Sequence, residues 1–238
     1  MKGAESKPDQ KQVSLRIASI ALAMLLASLP SSAFARQSAS PADERRAFAE
    51  NILASVNLEW NRYFVSRGRA YEARKGVVMR LPNGHPARGF GYDRSLINID
   101  LSDMIDHQKS QPTSADLITA LVIAHEVAHH AQHVIANMRE FRRHASTDRE
   151  LEREADCAAG WWLGKANARH LNATGKPFLV AQDLADELPR ALKLLFGSTS
   201  DGGSNGVETH GNVEERVSAI ELGMRSPHIK GCGGGFNL

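Results

Sequence analysis

His125-Glu126-Val127-Ala128-His129 lies inside a largely apolar segment, Leu117 to Ala136. A helix turns once in 3.6 residues, so histidines four apart stand one above the other on the same side. Two imidazoles so placed can hold one metal ion. The glutamate after the first histidine then lies close enough to take a proton from an activated water. The pattern needs no cofactor loop, lysine or serine, and it proposes a zinc-dependent hydrolase.

An H-E-x-x-H match also arises by chance, so its context decides. Leu117, Leu121, Ala124 and Ala128 recur at helical spacing, with Val122 and Ile123 apolar on another side, so the predicted helix is largely buried. Ser114, after Thr113, is its predicted N-cap, and Asp116 sits in the first turn. Two histidines and a glutamate on a buried helix are costly unless they are paired or bind a metal.

Hydrolytic zinc takes three protein ligands as a rule. Thr147 and Glu150 form a T-x-x-E capping box that predicts a second helix. Glu152 and Asp156 stand four apart and share a face of it. The segment from Asn137 to Ser146 is long enough to turn the chain, so the two helices can pack side by side. Glu152 would then complete a His-His-Glu set, and Asp156 would hold the free ring nitrogen of a ligand histidine. Arg149, Glu150, Arg153 and Glu154 read as a charged, exposed face. Glu152 and Asp156 stand apart because they lead into Cys157-Ala158-Ala159-Gly160-Trp161, a small-residue patch that permits close packing.

Leu121-Val-Ile-Ala-His-Glu-Val-Ala-His-His-Ala-Gln132, followed by Glu150-Leu-Glu-Arg-Glu-Ala-Asp-Cys-Ala-Ala-Gly-Trp161, resembles the bacterial neutral zinc metallopeptidases. It is similar, more distantly, to the CAAX-prenyl-protease and heat-shock membrane metalloproteases. Both are of the gluzincin type, with H-E-x-x-H on one helix and E-x-x-x-D on the next. The resemblance implies that His125, His129 and Glu152 are the zinc ligands, Glu126 the general base and Asp156 an outer carboxylate. Leu96-Ile-Asn-Ile-Asp-Leu-Ser102 resembles the strand that precedes the zinc helix in these enzymes, and Thr209-His-Gly-Asn-Val-Glu-Glu-Arg-Val217 resembles their T-H…R segment. The likeness runs from about Arg88 to Arg225, and little before Tyr92 matches. It implies that His210 approaches the metal and stabilises an oxyanion; a plain structural role capping the last helix stands beside that reading.

Residues 1–35 read as an export signal. Lys2, Lys7, Lys11 and Arg16 precede the apolar run Ile17 to Leu29, and Ala33-Phe34-Ala35 gives a small-x-small cleavage pattern. The run is short for a bilayer span of about 20 residues, although an uncleaved anchor stands as an alternative. Cleavage would leave 203 of the 238 residues, enough for one domain with its own core. Removing four basic and two acidic residues from 29 and 27 leaves 25 of each. So balanced a charge gives no electrostatic case for nucleic acid or an anionic membrane surface. The expected location is the periplasm or the medium, with no stable membrane span after cleavage. Two cysteines, Cys157 and Cys232, allow either a single disulfide in an oxidising compartment or one buried and one loose thiol.

The pattern predicts an α+β, zincin-like domain over residues 36–225, mostly helical with a small sheet, and with the zinc site between two packed helices. An amphipathic helix spans Pro41 to Trp60. Strands fall at Gly76 to Leu81 and Ser95 to Leu101, with turn material at Pro82-Asn-Gly and Pro86 to Gly91. A third amphipathic helix follows the two metal helices, from about Pro177 to Phe196. Ser198 to Gly206 is a loop, Asn212 caps a helix from Val213 to Gly223, and residues 226–238 form a loose glycine-rich tail.

His130 and His133 read as surface or hydrogen-bonded histidines, and Trp60, Trp161 and Trp162 as core. Arg216 reads as an ion-pair partner more than a substrate contact. Asn172-Ala-Thr matches a glycosylation sequon of little weight.

Zn2+ is thus the expected cofactor and a peptide or protein the expected substrate, with an extended chain pairing along the edge of Ile97 to Leu101. Two other classes fit the same motifs. One is a non-catalytic zinc-binding factor of the cell envelope, against which the intact Glu126 argues. The other is a hydrolase of a non-peptide amide.

Overall fold

A computed structural model describes residues 40–73, 77–79, 91–92, 97–100, 104, 106, 109, 115–138, 148–176, 186–192 and 211–236. The fold over these residues is mostly helical. Helix α1, Pro41–Ser66, begins in a capping box in which Ser40 and Asp43 satisfy each other's backbone N–H groups, with a proline in the first turn. It runs past the Trp60 expected from the sequence because Tyr63 and Phe64 continue the apolar face; Phe64 is fully buried.

Three short strands follow: β1, Val77–Met79; β2, Gly91–Tyr92; and β3, Ile97–Ile99. Their order is β1-β3-β2, with β3 parallel to β1 and antiparallel to β2. Strand β3 is therefore central. Its backbone is already paired on both sides over Ile97 and Asn98, which removes the edge on which an extended substrate was expected to add. Strand β2 takes up Gly91, read from sequence as turn material, because a two-residue strand carries too few residues to show a period.

Helix α2, Ala115–Met138, carries the histidine motif, and helix α3, Asp148–Thr174, carries Glu152 and Asp156. The expected caps at Ser114 and Thr147, the loop at Ser198 to Gly206, His210 and residues 1–35 lie outside the described residues. Every residue of α2 from Ala115 to His125 is buried, as the apolar pattern required. Leu121, Ala124 and Ala128 join the main core with α1 and α3. Ile118 and Val122 face the other way, against Ala191 in the helical stretch 186–192. That stretch lies within the helix expected from Pro177 to Phe196, whose remaining residues are not described. Among the described residues, no helix is long and apolar enough to cross a membrane.

Helix α4, Val213–Arg225, starts at Asn212 in a second capping box, with Glu215. It lies against α3 at a distance only glycine permits. A Cβ on Gly160 would stand 2.0 Å from the Ile220 carbonyl oxygen, and one on Gly223 would stand 1.8 Å from the Cys157 carbonyl oxygen. Arg149 pairs with Glu215 at the entrance of the seam.

The tail departs from expectation. Residues Ile229–Cys232 and Gly234–Phe236 form two 3-10 turns, and Ile229 and Phe236 are buried. Cys232 is bonded to Cys157, 75 residues away, which decides between the two readings of the cysteines. Phe236 packs on Trp60, and its carbonyl accepts from the Tyr63 hydroxyl. Trp60, Trp161 and Trp162 are core, as expected. Glycine content suggested looseness here; one apolar plug and one covalent link outweigh it.

Candidate metal centre

His125 and His129 lie on one face of α2, and Glu152 reaches them from the first turns of α3. The Nε2 atoms of the two histidines are 3.0 Å apart. Glu152 brings Oε2 to 3.0 Å from His125 Nε2 and Oε1 to 3.2 Å from His129 Nε2. Among the described residues, these three form the one group of His, Cys, Asp or Glu whose donor atoms converge as metal ligands do. His125 is buried, while His129 and Glu152 are partly open.

The outer contacts settle which nitrogen of each ring faces inward. His125 Nδ1 donates to Asp156 Oδ1 at 2.9 Å. Asp156 is itself held by Arg216 of α4, through Nε at 2.7 Å to Oδ2 and a second guanidinium nitrogen at 2.6 Å to Oδ1. His129 Nδ1 donates to Gln132 Oε1 at 2.9 Å. With both Nδ1 positions used as donors, both Nε2 atoms are turned to the same point.

The electrostatics favour a cation there. Burial alone would lower the His125 pKa. The charge and hydrogen bond of Asp156 and the hydrogen bond to Glu152 overcome it and raise the group to about 10. Burial likewise works to raise Glu152, yet hydrogen bonds from His125 and His129 hold it far below the usual carboxylate range. Two imidazoles, one carboxylate and an enclosing second carboxylate suit a zinc ion, whose hydrolytic sites take His-His-Glu donors. The residues present fit the metal.

The other sequence-derived residues fall as follows. Glu126 follows His125 on α2 and is partly open to solvent. His130 is fully buried, and its Nε2 donates to the Glu72 carbonyl at 2.9 Å, away from the metal ligands. His133 is not among the converging donors. Arg149, Glu150 and Arg153 are exposed, as expected. Glu154 is not: it is buried, accepts from the Gln132 amide, and lies where a Cβ on Gly233 would strike it at 2.1 Å. Periodicity placed Glu154 with its charged neighbours, whereas the disulfide-bound tail covers it. Gln132 carried no assigned role in the sequence reading; its signal was its spacing, one helical turn beyond His129.

Known proteins resemble this chain along most of its length. A family model described as "Putative neutral zinc metallopeptidase" matches residues 20–234, well upstream of the Arg88 at which the motif resemblance begins. The uncharacterized protein YpfJ of Escherichia coli (strain K12) is 27% identical over 213 residues, covering 80% of this chain and 71% of that protein. YpfJ of Escherichia coli O6:H1 (strain CFT073) matches to the same degree. No solved structure matches the chain. Over nearly its whole length, and with its converging His-His-Glu donors, the chain belongs to the neutral zinc metallopeptidase family.

Proposed function

We propose that the protein is an exported zinc peptidase in which His125, His129 and Glu152 hold the metal and Glu126 is the general base. The observation that carries this reading is the convergence of the three donors, with both imidazoles turned Nε2-inward by partners on Nδ1. A zinc ion bound there supplies a water of lowered pKa, about 7, and polarises the scissile carbonyl.

The rest is work for the chain's own groups. Glu126, one residue from a ligand, takes the proton from the attacking water and returns it to the leaving amine. His210, on the T-H resemblance, donates to the developing oxyanion. Asp156 keeps His125 in its donor-to-Asp tautomer throughout. The signal-like pattern of residues 1–35 supports the export part of this reading.

The test begins with protein recovered from the periplasm, whose N-terminus should be near residue 36. Bound zinc and cleavage of casein are then compared for wild type, Glu126→Gln and Glu152→Ala. Wild type should carry about one zinc and cleave in a chelator-sensitive way. Glu126→Gln should keep the metal and lose cleavage by roughly 10²-fold or more. Glu152→Ala should lose the metal. Full zinc with no cleavage of any peptide would support a binding protein, and zinc retained in Glu152→Ala would displace the third ligand.

A further inference from the structure

Gln132 joins the two metal helices at one point. It is buried on α2, and its Oε1 accepts from His129 Nδ1 at 2.9 Å. Its amide nitrogen faces α3, donating to the Leu151 carbonyl at 3.0 Å and to Glu154 Oε2 at 3.4 Å. Two acceptors on the nitrogen side fix which way the amide points, because a flipped amide would set oxygen against oxygen. The oxygen must then face His129, and it can only accept. His129 therefore carries its proton on Nδ1 and keeps Nε2 for the site.

The second consequence concerns Glu152. Leu151 is its neighbour in the chain, so the same side chain that sets the tautomer of one ligand also grips the backbone beside another. Asp156 does for His125 what Gln132 does for His129, but with a charge that Arg216 neutralises. A neutral amide is the partner that suits His129, because Glu154 already brings a carboxylate within 3.4 Å of position 132.

We propose that Gln132 is a positioning residue of the metal centre, fixing the tautomer of His129 and the register of α2 against the turn of α3 that carries Glu152. The inference rests on the zinc reading above. Outer partners of ligating histidines change metal affinity by about 10–100-fold when removed. Gln132→Ala should weaken zinc by that factor and alter the visible spectrum of the cobalt-substituted protein. Gln132→Glu keeps an acceptor for His129 but sets two carboxylates together, so it should weaken zinc as well. Adding Glu154→Gln returns a donor at one of the two contacts and removes the carboxylate repulsion, while the Leu151 carbonyl still faces an acceptor, so Gln132→Glu/Glu154→Gln should recover part of the affinity and of the cobalt spectrum.

The experiment measures zinc affinity by chelator competition, the cobalt spectrum and thermal melting for all three variants and for His130→Asn. That last change removes the buried hydrogen bond to the Glu72 carbonyl made by the residue that follows His129 in the chain, without touching the ligand nitrogens. It should lower the melting temperature and leave both metal readouts unchanged. Absence of zinc binding in the wild type would defeat the metal reading itself. A wild type that binds zinc beside single variants with unchanged affinity and spectrum would overturn the role of Gln132. So would a double variant no better than Gln132→Glu. If Gln132→Ala does not fold, the double variant against Gln132→Glu gives the same decision.

Discussion

Asp156 carries the heaviest single duty. It is 2% exposed, and its two oxygens accept from His125 on one side and from Arg216 on the other. Such a carboxylate does two separable things: it fixes a ligand, and it neutralises a buried guanidinium. Asp156→Asn keeps the shape and removes the charge. Metal affinity should then drop by about 10–100-fold, as for other outer partners of ligand histidines. Stability should drop by about 3–5 kcal/mol, the usual cost of stranding one member of a buried pair. Chelator competition and urea unfolding report the two losses independently. Retained stability would mean that Arg216 finds other acceptors, and retained affinity would mean that a neutral amide oxygen holds His125 as well as the carboxylate does.

Helices α3 and α4 meet through glycine, and this seam delivers Arg216 to Asp156. A methyl group at Gly160 or Gly223 would lie within 2.0 Å of a backbone oxygen, which no rotamer change relieves. Gly160→Ala and Gly223→Ala should each cost about 1–3 kcal/mol by overpacking, or more where the helices cannot part. Gly234→Ala meets nothing within 4 Å and should stay within about 0.5 kcal/mol of wild type. Denaturant midpoints for the three variants check this. Because the seam sets where Arg216 reaches, the first two changes should also weaken zinc, whereas Gly234→Ala should not. The small-residue patch at Cys157 to Trp161 showed that some close packing was intended; the partner helix was not readable from it.

At the scale of the molecule, the C-terminal segment closes the domain. Cys157 precedes the glycine seam on α3 and follows Asp156 directly, so its bond to Cys232 ties the chain end to the metal helix. Gly233 adopts φ +139°, a conformation costly for other residues, and this turn lets the chain pass over Glu154. Phe236 then seats against Trp60. Linking residues 75 apart removes about 4 kcal/mol of chain entropy from the unfolded state. Cys232→Ser should lose a stabilisation of that order, and dithiothreitol should lower the unfolding midpoint of the wild type but not of the variant. Equal midpoints for wild type with and without reductant would show that packing of Phe236 and Ile229 alone secures the tail.

Sequence by itself determined the local terms of this protein. Helical period put His125 and His129 on one face, the apolar pattern buried that helix, and E-x-x-x-D put Glu152 and Asp156 on one face of the next. These follow from spacing along a helix, which the chain fixes without reference to anything distant. What the tertiary structure decided were the partnerships across elements: Gln132 with Leu151 and Glu154, Arg216 with Asp156, the tail over Glu154, and β3 enclosed on both sides. None has a signature in residue order, because each depends on which surfaces meet. Glu154 shows the limit most plainly. It lies one turn from exposed Glu150, and only the chain end folding back over it makes it part of the site's surroundings.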